Sequence, residues 1–218
     1  MPSPRLFLAL LASALIATTA IAAPDLTRIA DGAAWQVINR TATATTEGAR
    51  QIVRLDARAK DGLVWLVGSD FAEGTLEVDL RGSNTPGQSF VGLAFHGADE
   101  KNYDAVYFRP FNFKNADPAR RLRAVQYISH PAFPWEKLRA DFPGKYEQPV
   151  SPVPDPDGWF HARIVITHGE VSVFVDDATT PSLVVTALTP RRGGLIGFWV
   201  GHGSAGDFAN LKISPTAP

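Results

Sequence analysis

The sequence predicts an all-β protein, built as an antiparallel sandwich or a barrel. The chain divides into about a dozen short segments bounded by turn residues, and several of them alternate apolar and polar side chains with a period of two. The 18 glycines and 17 prolines supply many turns. With 218 residues, of which 45% are hydrophobic, the chain is long enough for one domain with a substantial core.

The predicted strands share a short length and flanking turn residues. They are Trp35–Arg40, Gln51–Ala57, Leu63–Gly68, Gly74–Arg81, Ser89–His96, Tyr103–Pro110, Arg121–Ser129, Trp159–Thr167, Glu170–Asp176, Ser182–Val185, Gly194–Gly201 and Asp207–Ile213. The clearest alternation places Leu76, Val78 and Leu80 on one face of their strand. His168-Gly169 predicts the turn of a hairpin between two consecutive strands.

One stretch interrupts the strands. Residues 130–158 hold seven prolines and four aromatic residues. A long segment of this kind is either functional or a disordered linker, and its aromatic content favours an ordered insertion packed over one face of the domain. Within it, Trp135–Arg139 is the candidate for a helical turn, and residues 148–157 are expected to form a proline-stiffened return to the next sheet.

The amino-terminal residues predict an export signal. Arg5 supplies a positive charge, Leu6–Ile16 is an apolar run of suitable length, and Ala20 and Ala22 occupy the −3 and −1 positions of a cleavage site. A membrane anchor would need about 20 apolar residues. We therefore expect cleavage after residue 22, a single mature domain of residues 23–218 without a membrane span, and a periplasmic or secreted location.

Composition excludes several classes of protein. The 21 basic and 22 acidic residues give a net charge of −1, whereas a nucleic-acid-binding protein would carry a basic surplus. Because cysteine is absent, disulfides and thiolate chemistry are excluded. The histidines show no zinc-binding spacing, so no metal site is predicted from them. Calcium is the one cofactor left open, with Asp176, Asp177 and Asp207 as potential oxygen ligands.

The middle of the chain is rich in aromatic and basic residues. Residues 90–146 hold twelve of the 22 aromatic residues, and residues 101–145 hold nine basic and four acidic ones. Rings stack on the C–H faces of sugars, while guanidinium and amide groups bind hydroxyls and carboxylates. The segment therefore predicts a carbohydrate or oligosaccharide ligand. The candidate binding residues are Tyr107, Asn112, Arg123, Gln126, Tyr127 and Trp135.

Two points about this site stay open. The strand at 121–129 could present either Arg123 and Tyr127 or the opposite face, which carries Gln126. Glu77 and Asp79 share one strand face, a spacing that suits the paired carboxylates of a glycosidase and equally an exposed ladder of charges.

The chain resembles a concanavalin-like, laminin-G-like jelly roll, and more narrowly the bacterial 3-keto-disaccharide hydrolase (glycosyl hydrolase) domain family. The resemblance covers about residues 71–213 and rests on five segments, which in chain order read FAEGTLEVDLRG, SFVGLAFHG, YDAVYFRPFNF, DGWFHARIVITHGEVSVFVDD and GGLIGFWVGHGSAGDFANLKI. It implies a two-sheet antiparallel β-sandwich with the 130–158 segment as a loop insertion. It also implies an activity on glycosides oxidised at C3.

A hydrolase or lyase hypothesis follows from the resemblance together with the clustered side chains. Oxidation at C3 of a sugar acidifies the neighbouring C–H bond, so a single base can drive β-elimination of the glycosidic oxygen. A nearby cation would stabilise the enolate that forms. The candidate catalytic residues are the bases His96 and His130 and the cation Arg109, with Arg123 as an alternative cation. A non-catalytic lectin-like module and a structural or interaction domain remain the two alternatives.

Overall fold

The structure is a computed structural model that describes residues 23–216, so the predicted signal peptide at residues 1–22 lies outside the described residues. Two seven-stranded antiparallel sheets pack face to face. Of the two architectures that the strand pattern allowed, the sandwich is therefore confirmed.

The strands are numbered in chain order. They are β1 (Trp35–Ile38), β2 (Ala42–Glu47), β3 (Arg50–Leu55), β4 (Gly62–Leu66), β5 (Gly74–Arg81), β6 (Val91–Gly97), β7 (Tyr103–Phe108), β8 (Val125–His130), β9 (Glu147–Gln148), β10 (Phe160–Thr167), β11 (Glu170–Val175), β12 (Leu183–Thr186), β13 (Leu195–Val200) and β14 (Gly206–Pro215). The first sheet has the order β1-β4-β13-β6-β7-β8-β9, and the second has the order β12-β11-β10-β5-β14-β3-β2.

The core lies between the two sheets and is built largely from aromatic rings. Phe198 of the first sheet stacks on Trp35 at 5.5 Å between ring centroids, and it meets Phe208 of the second sheet at 4.5 Å. Phe108 and Phe160 make a second contact between the sheets, edge to face at 5.0 Å. These contacts fix the spacing of the sheets and hold the opposite face of the first sheet in place.

The second sheet follows the predicted alternation. In β5, Leu76 and Val78 are fully buried in the core, while Glu77 and Asp79 point outward. Both carboxylates contact His161 of the neighbouring strand β10, Asp79 at 2.8 Å and Glu77 at 3.3 Å. The two carboxylates do share a face, but they belong to a charge ladder on the outside of the second sheet.

Three short helices connect the strands. They are α1 (Pro110–Phe113), α2 (Pro118–Arg121) and α3 (Trp135–Asp141), and a 3-10 turn at Leu26–Arg28 precedes β1. Asp117 caps α2 by accepting the backbone N–H of Ala119 at 2.8 Å. Helix α2 includes Arg121, which the strand pattern had assigned to a strand at 121–129. The observed strand β8 begins only at Val125.

The 130–158 segment is ordered. It contains α3, where a helical turn was expected, and β9, which extends the first sheet beside β8. Leu138 and Tyr146 are buried and hold this part against the domain. The chain then runs from β9 in the first sheet to β10 in the second. Among residues 23–216, no helix is long and apolar enough to cross a bilayer.

Candidate functional site

A groove of about 1620 Å³ lies on the face of the first sheet that is turned away from the second sheet. Strand alternation produces this arrangement, since Tyr107 and Trp199 line the groove while their chain neighbours Val106 and Phe198 fill the core. The walls come from connecting segments within residues 60–61, 100–102, 109–123, 131–139 and 201–202.

Aromatic rings form the floor of the groove. Tyr107 and Trp199 lie with their ring centroids 4.7 Å apart, and the indole N–H of Trp199 donates to the hydroxyl of Tyr103 at 3.1 Å. Phe90 and Phe111 meet edge to face at 5.4 Å. Because these rings pack against one another, the floor is an apolar surface of fixed shape.

One end of the groove, which we call the arginine end, is formed by Arg109, Arg123 and Asn112. Arg109 is only 5% exposed, and its Nη2 donates to the side-chain Oε1 of Gln126 at 2.5 Å and to the Tyr107 hydroxyl at 2.6 Å. Burial lowers the pKa of Arg109 and raises the pKa of Tyr107 to about 12. Near neutral pH the end therefore presents a fixed cation beside a neutral phenol.

A single carboxylate, that of Glu147, faces three guanidinium groups behind this end. Arg139 binds both of its oxygens, at 2.8 and 2.6 Å, whereas Arg109 and Arg123 approach it only to 3.6 and 3.8 Å. Arg139 also stacks on the ring of Trp135, 4.6 Å from its centroid. These charged groups leave a surplus of two positive charges at the arginine end.

The opposite end, which we call the histidine end, brings His130 and Asp61 to the groove. Burial raises the pKa of the Asp61 carboxyl, and the charges of His130 and Arg40 act in the opposite direction. Burial lowers the pKa of the His130 imidazole, against the charges of Asp61 and Glu136. A carboxyl whose pKa is raised and an imidazole whose pKa is lowered make a potential acid and base.

Arg109 and His130 lie at opposite ends of the groove. Strand β7 runs from Tyr103, which pairs with His130, toward Arg109, and six residues of strand span about 20 Å. Arg109 is therefore too distant to stabilise charge that develops beside His130, which corrects the expectation that the two act together. Lys101, two residues before Tyr103, is the lysine that lines the groove near the start of β7.

His96 does not reach the groove. Its backbone has φ of 51°, next to a register shift between β6 and β13, and its side chain is 2% exposed. The ring Nδ1 contacts the Asp104 carboxylate at 2.9 Å, and Nε2 donates to the Ala72 carbonyl at 2.8 Å. Both ring nitrogens are buried and already have partners within the protein, so the prediction that His96 is a catalytic base is wrong.

The pairing of β8 with β7 settles which face of β8 is turned toward the groove. Gln126 and His130 pair with Tyr107 and Tyr103 and share their face, so Tyr127 points into the core. The prediction that Tyr127 contacts the sugar is therefore wrong. Gln126 does lie on the groove side of β8, where its side-chain oxygen accepts a hydrogen bond from Arg109. The structure places four of the six candidate sugar-binding residues on the groove, namely Tyr107, Asn112, Arg123 and Trp135.

Two of the aspartates considered for calcium are engaged within the protein. Asp207 accepts from Arg54 at 2.8 Å and from Arg81 at 2.6 Å, and Asp176 accepts the backbone N–H of His161 at 2.9 Å. Within residues 23–216, no group of three or more His, Cys, Asp and Glu side chains is arranged to hold a metal ion.

The sequence did not single out three residues that shape the groove. Asp61 belongs to a Lys-Asp-Gly segment, and it reaches the same groove as His130 only through the assembly of the first sheet. Trp199 lies in a strand that is apolar on both faces, so its pattern is that of a core residue. Glu147 follows the aromatic and basic segment, and its position one residue before a glutamine gives no local signal.

Together, the fold and the groove define a jelly-roll β-sandwich with an elongated, solvent-reachable site on its first sheet. No family model matches the chain. The carbohydrate binding module CBM66 from Bacillus subtilis is 16% identical, covers 82% of this chain and 93% of its own, and has a TM-score of 0.57.

Two further solved structures share the architecture. The exoplasmic/lumenal domain of VIP36, in its Ca²⁺/Man3GlcNAc-bound form, is 14% identical over 86% of this chain and 85% of its own, with a TM-score of 0.53. A protein described as a "putative glycosyl hydrolase" from Parabacteroides distasonis is 12% identical over 85% of this chain and 89% of its own, with a TM-score of 0.51. At these identities the comparisons establish the fold, and they confirm the predicted concanavalin-like jelly roll.

Proposed function

We propose that this protein binds carbohydrate in the groove on its first sheet. The observation that carries the proposal is the meeting of an aromatic floor with a cluster of guanidinium and amide groups in one open groove. Rings pack on the C–H faces of sugars, and planar guanidinium and amide groups bond to their hydroxyls. The proposal also draws support from CBM66, a carbohydrate binding module, and from the VIP36 domain in its Man3GlcNAc-bound form.

Trp135 is the aromatic side chain best placed to stack on a sugar. It is 40% exposed, unlike the buried rings of the floor, and it lies on the wall formed by α3. The Arg139 guanidinium packs over its ring and limits its rotation. A ring held in this way loses little conformational entropy when a ligand packs on its open surface.

Replacing Trp135 with alanine is expected to weaken glycan binding about tenfold, because the variant loses one stacking contact of about 1.4 kcal/mol. The matched control is Phe142→Ala, since Phe142 is 38% exposed in the same insertion but does not line the groove. A glycan array would identify the ligand, and titration calorimetry would measure the affinities. If no glycan binds, or if the two variants lose affinity equally, the proposal fails.

We further propose that the protein acts outside the cytoplasm, after removal of the export signal predicted at residues 1–22. Expression of the full chain in a Gram-negative host should give a periplasmic protein whose amino terminus is Ala23. Intact-mass measurement of the fractionated protein tests this expectation. A full-length product that stays in the cytoplasm or in the membrane would contradict it.

A second candidate function is hydrolysis of 3-keto-glycosides or elimination from them, and the presence of both Asp61 and His130 on the lining of the groove is the observation that favours it. Neutral His130 would take the proton from C2 of the sugar, leaving an enolate whose negative charge Lys101 could stabilise. The enolate electrons would then form the C1–C2 double bond as the C1–O bond breaks. Asp61 would protonate the departing oxygen, and addition of water across the double bond would complete hydrolysis.

A further inference from the structure

We infer that the arginine end of the groove is a subsite for a carboxylate group carried by a sugar, so that the preferred ligand is a glycan containing uronic acid residues. This inference rests on the proposed function and makes it more specific. It depends on two independent observations, the charge balance of the arginine cluster and an unpaired acceptor on Asn112.

The charge balance shows which cations are free for a ligand. The Glu147 carboxylate is bound at both oxygens by Arg139, so this pair is neutral and satisfied. Arg123 contacts Glu147 only at 3.8 Å, and its side chain is 44% exposed on the groove. A structural role in holding Glu147 accounts for Arg139 but leaves the charge of Arg123 available to an anion from solvent.

Asn112 supplies the second observation. It is 4% exposed and lines the groove, and its Nδ2 donates to the backbone carbonyl of Arg123 at 3.0 Å, which fixes the orientation of the amide. Its Oδ1 is buried and has no hydrogen-bond partner among residues 23–216. A buried acceptor without a hydrogen bond destabilises the protein, and a hydrogen bond from a ligand would remove that penalty.

Asn112 and Arg109 share one acceptor, the backbone carbonyl of Arg123. Arg109 donates to the same Arg123 carbonyl at 3.1 Å, and its guanidinium packs 4.8 Å from the centroid of the Tyr107 ring. The Asn112 amide and the Arg109 guanidinium are therefore oriented before a ligand arrives. A uronic acid residue presents a carboxylate and ring hydroxyls on one small frame, so that its carboxylate would meet Arg123 while a hydroxyl donates to Asn112.

The test compares acidic oligosaccharides with neutral ones of the same backbone. Oligomers of galacturonate, glucuronate and mannuronate are titrated into the full protein beside their carboxyl-reduced counterparts, with a sulfated neutral oligosaccharide as a further arm. We expect at least one uronate oligomer to bind tenfold or more tightly than its reduced form. Arg123→Gln should abolish this preference by weakening the binding of the uronate oligomer far more than that of its reduced form. Lys114→Gln, which removes an exposed lysine outside the groove, should keep the preference.

The outcomes separate this inference from the proposed function. Equal affinity for acidic and reduced oligomers, or an unchanged preference in Arg123→Gln, overturns the carboxylate subsite and leaves carbohydrate binding intact. Tighter binding of the sulfated oligosaccharide than of every uronate also overturns it, because the anion would then be a sulfate. Absence of binding to every glycan tested overturns both the subsite and the proposed function.

Discussion

Asp104→Ala is expected to lower the free energy of unfolding by about 3 kcal/mol, because it leaves the partly buried guanidinium of Arg191 without its carboxylate partner. Asp104 is 1% exposed and accepts hydrogen bonds from Ser129 at 2.6 Å and from Arg191 at 2.7 Å, and it contacts His96 at 2.9 Å. Urea denaturation followed by tryptophan fluorescence measures the loss.

An exposed ion pair provides the control. Lys137 and Asp141 are both more than 40% exposed, and Asp141→Ala should change the stability by less than about 1 kcal/mol. An Asp104→Ala variant whose stability also lies within about 1 kcal/mol of the unmodified protein would show that the buried cluster contributes little. Asp104→Asn, which keeps the shape and one acceptor, should lie between these two.

The same cluster predicts a dependence on pH. Burial acts to raise the pKa of the Asp104 carboxyl, but hydrogen bonds from His96, Ser129 and Arg191 outweigh it and hold the pKa below its usual value of 3.8. A carboxyl whose pKa is lower in the folded state stabilises the fold above about pH 4 and loses that contribution as the pH falls through the folded pKa. The difference between Asp104→Ala and the unmodified protein should therefore shrink in acid.

The sequence predicted much of the second sheet well, because burial on one face gives β5, β10, β11 and β12 a period of two in hydropathy. Gly74–Arg81 was predicted with the bounds that β5 has, since its apolar residues alternate with charged ones. Strand β2 was missed because it lies at the edge of the second sheet and nearly all of its side chains are exposed. With alanine and threonine in alternation, it carries no contrast in hydropathy for a pattern to detect.

The site was less predictable, because its residues are placed by backbone irregularities and by contacts between distant segments. The positive φ of His96 turns its ring into the core, and the neighbouring sequence does not predict that backbone conformation. The choice between Gln126 and Tyr127 depended on how β8 pairs with β7, which a strand sequence with two plausible faces leaves open. The nearness of Asp61 to His130 likewise arises only when β4 and β8 enter the same sheet.

If the second candidate function is correct, His130→Ala should lower the turnover of a 3-keto-glycoside by about a hundredfold or more, the range typical for loss of a general base. Oligosaccharide affinity should fall only a few-fold, because most of the groove is untouched. His168→Ala is the matched control, since His168 lies in the hairpin turn between β10 and β11, outside the groove. Release of reducing sugar and direct titration measure the two effects separately.

The pH profile distinguishes catalysis by this pair from a merely structural role. The pKa of His130 is lowered from 6.5 and that of Asp61 is raised from 3.8, so the two values move toward each other. This increases the fraction of molecules in which the imidazole is neutral while the carboxyl holds its proton, and that fraction peaks on the acid side of neutrality. Activity should follow a bell-shaped curve there, and Asp61→Asn should change its alkaline limb. Binding without turnover on any 3-keto-glycoside would instead support a non-catalytic module that uses the groove for binding alone.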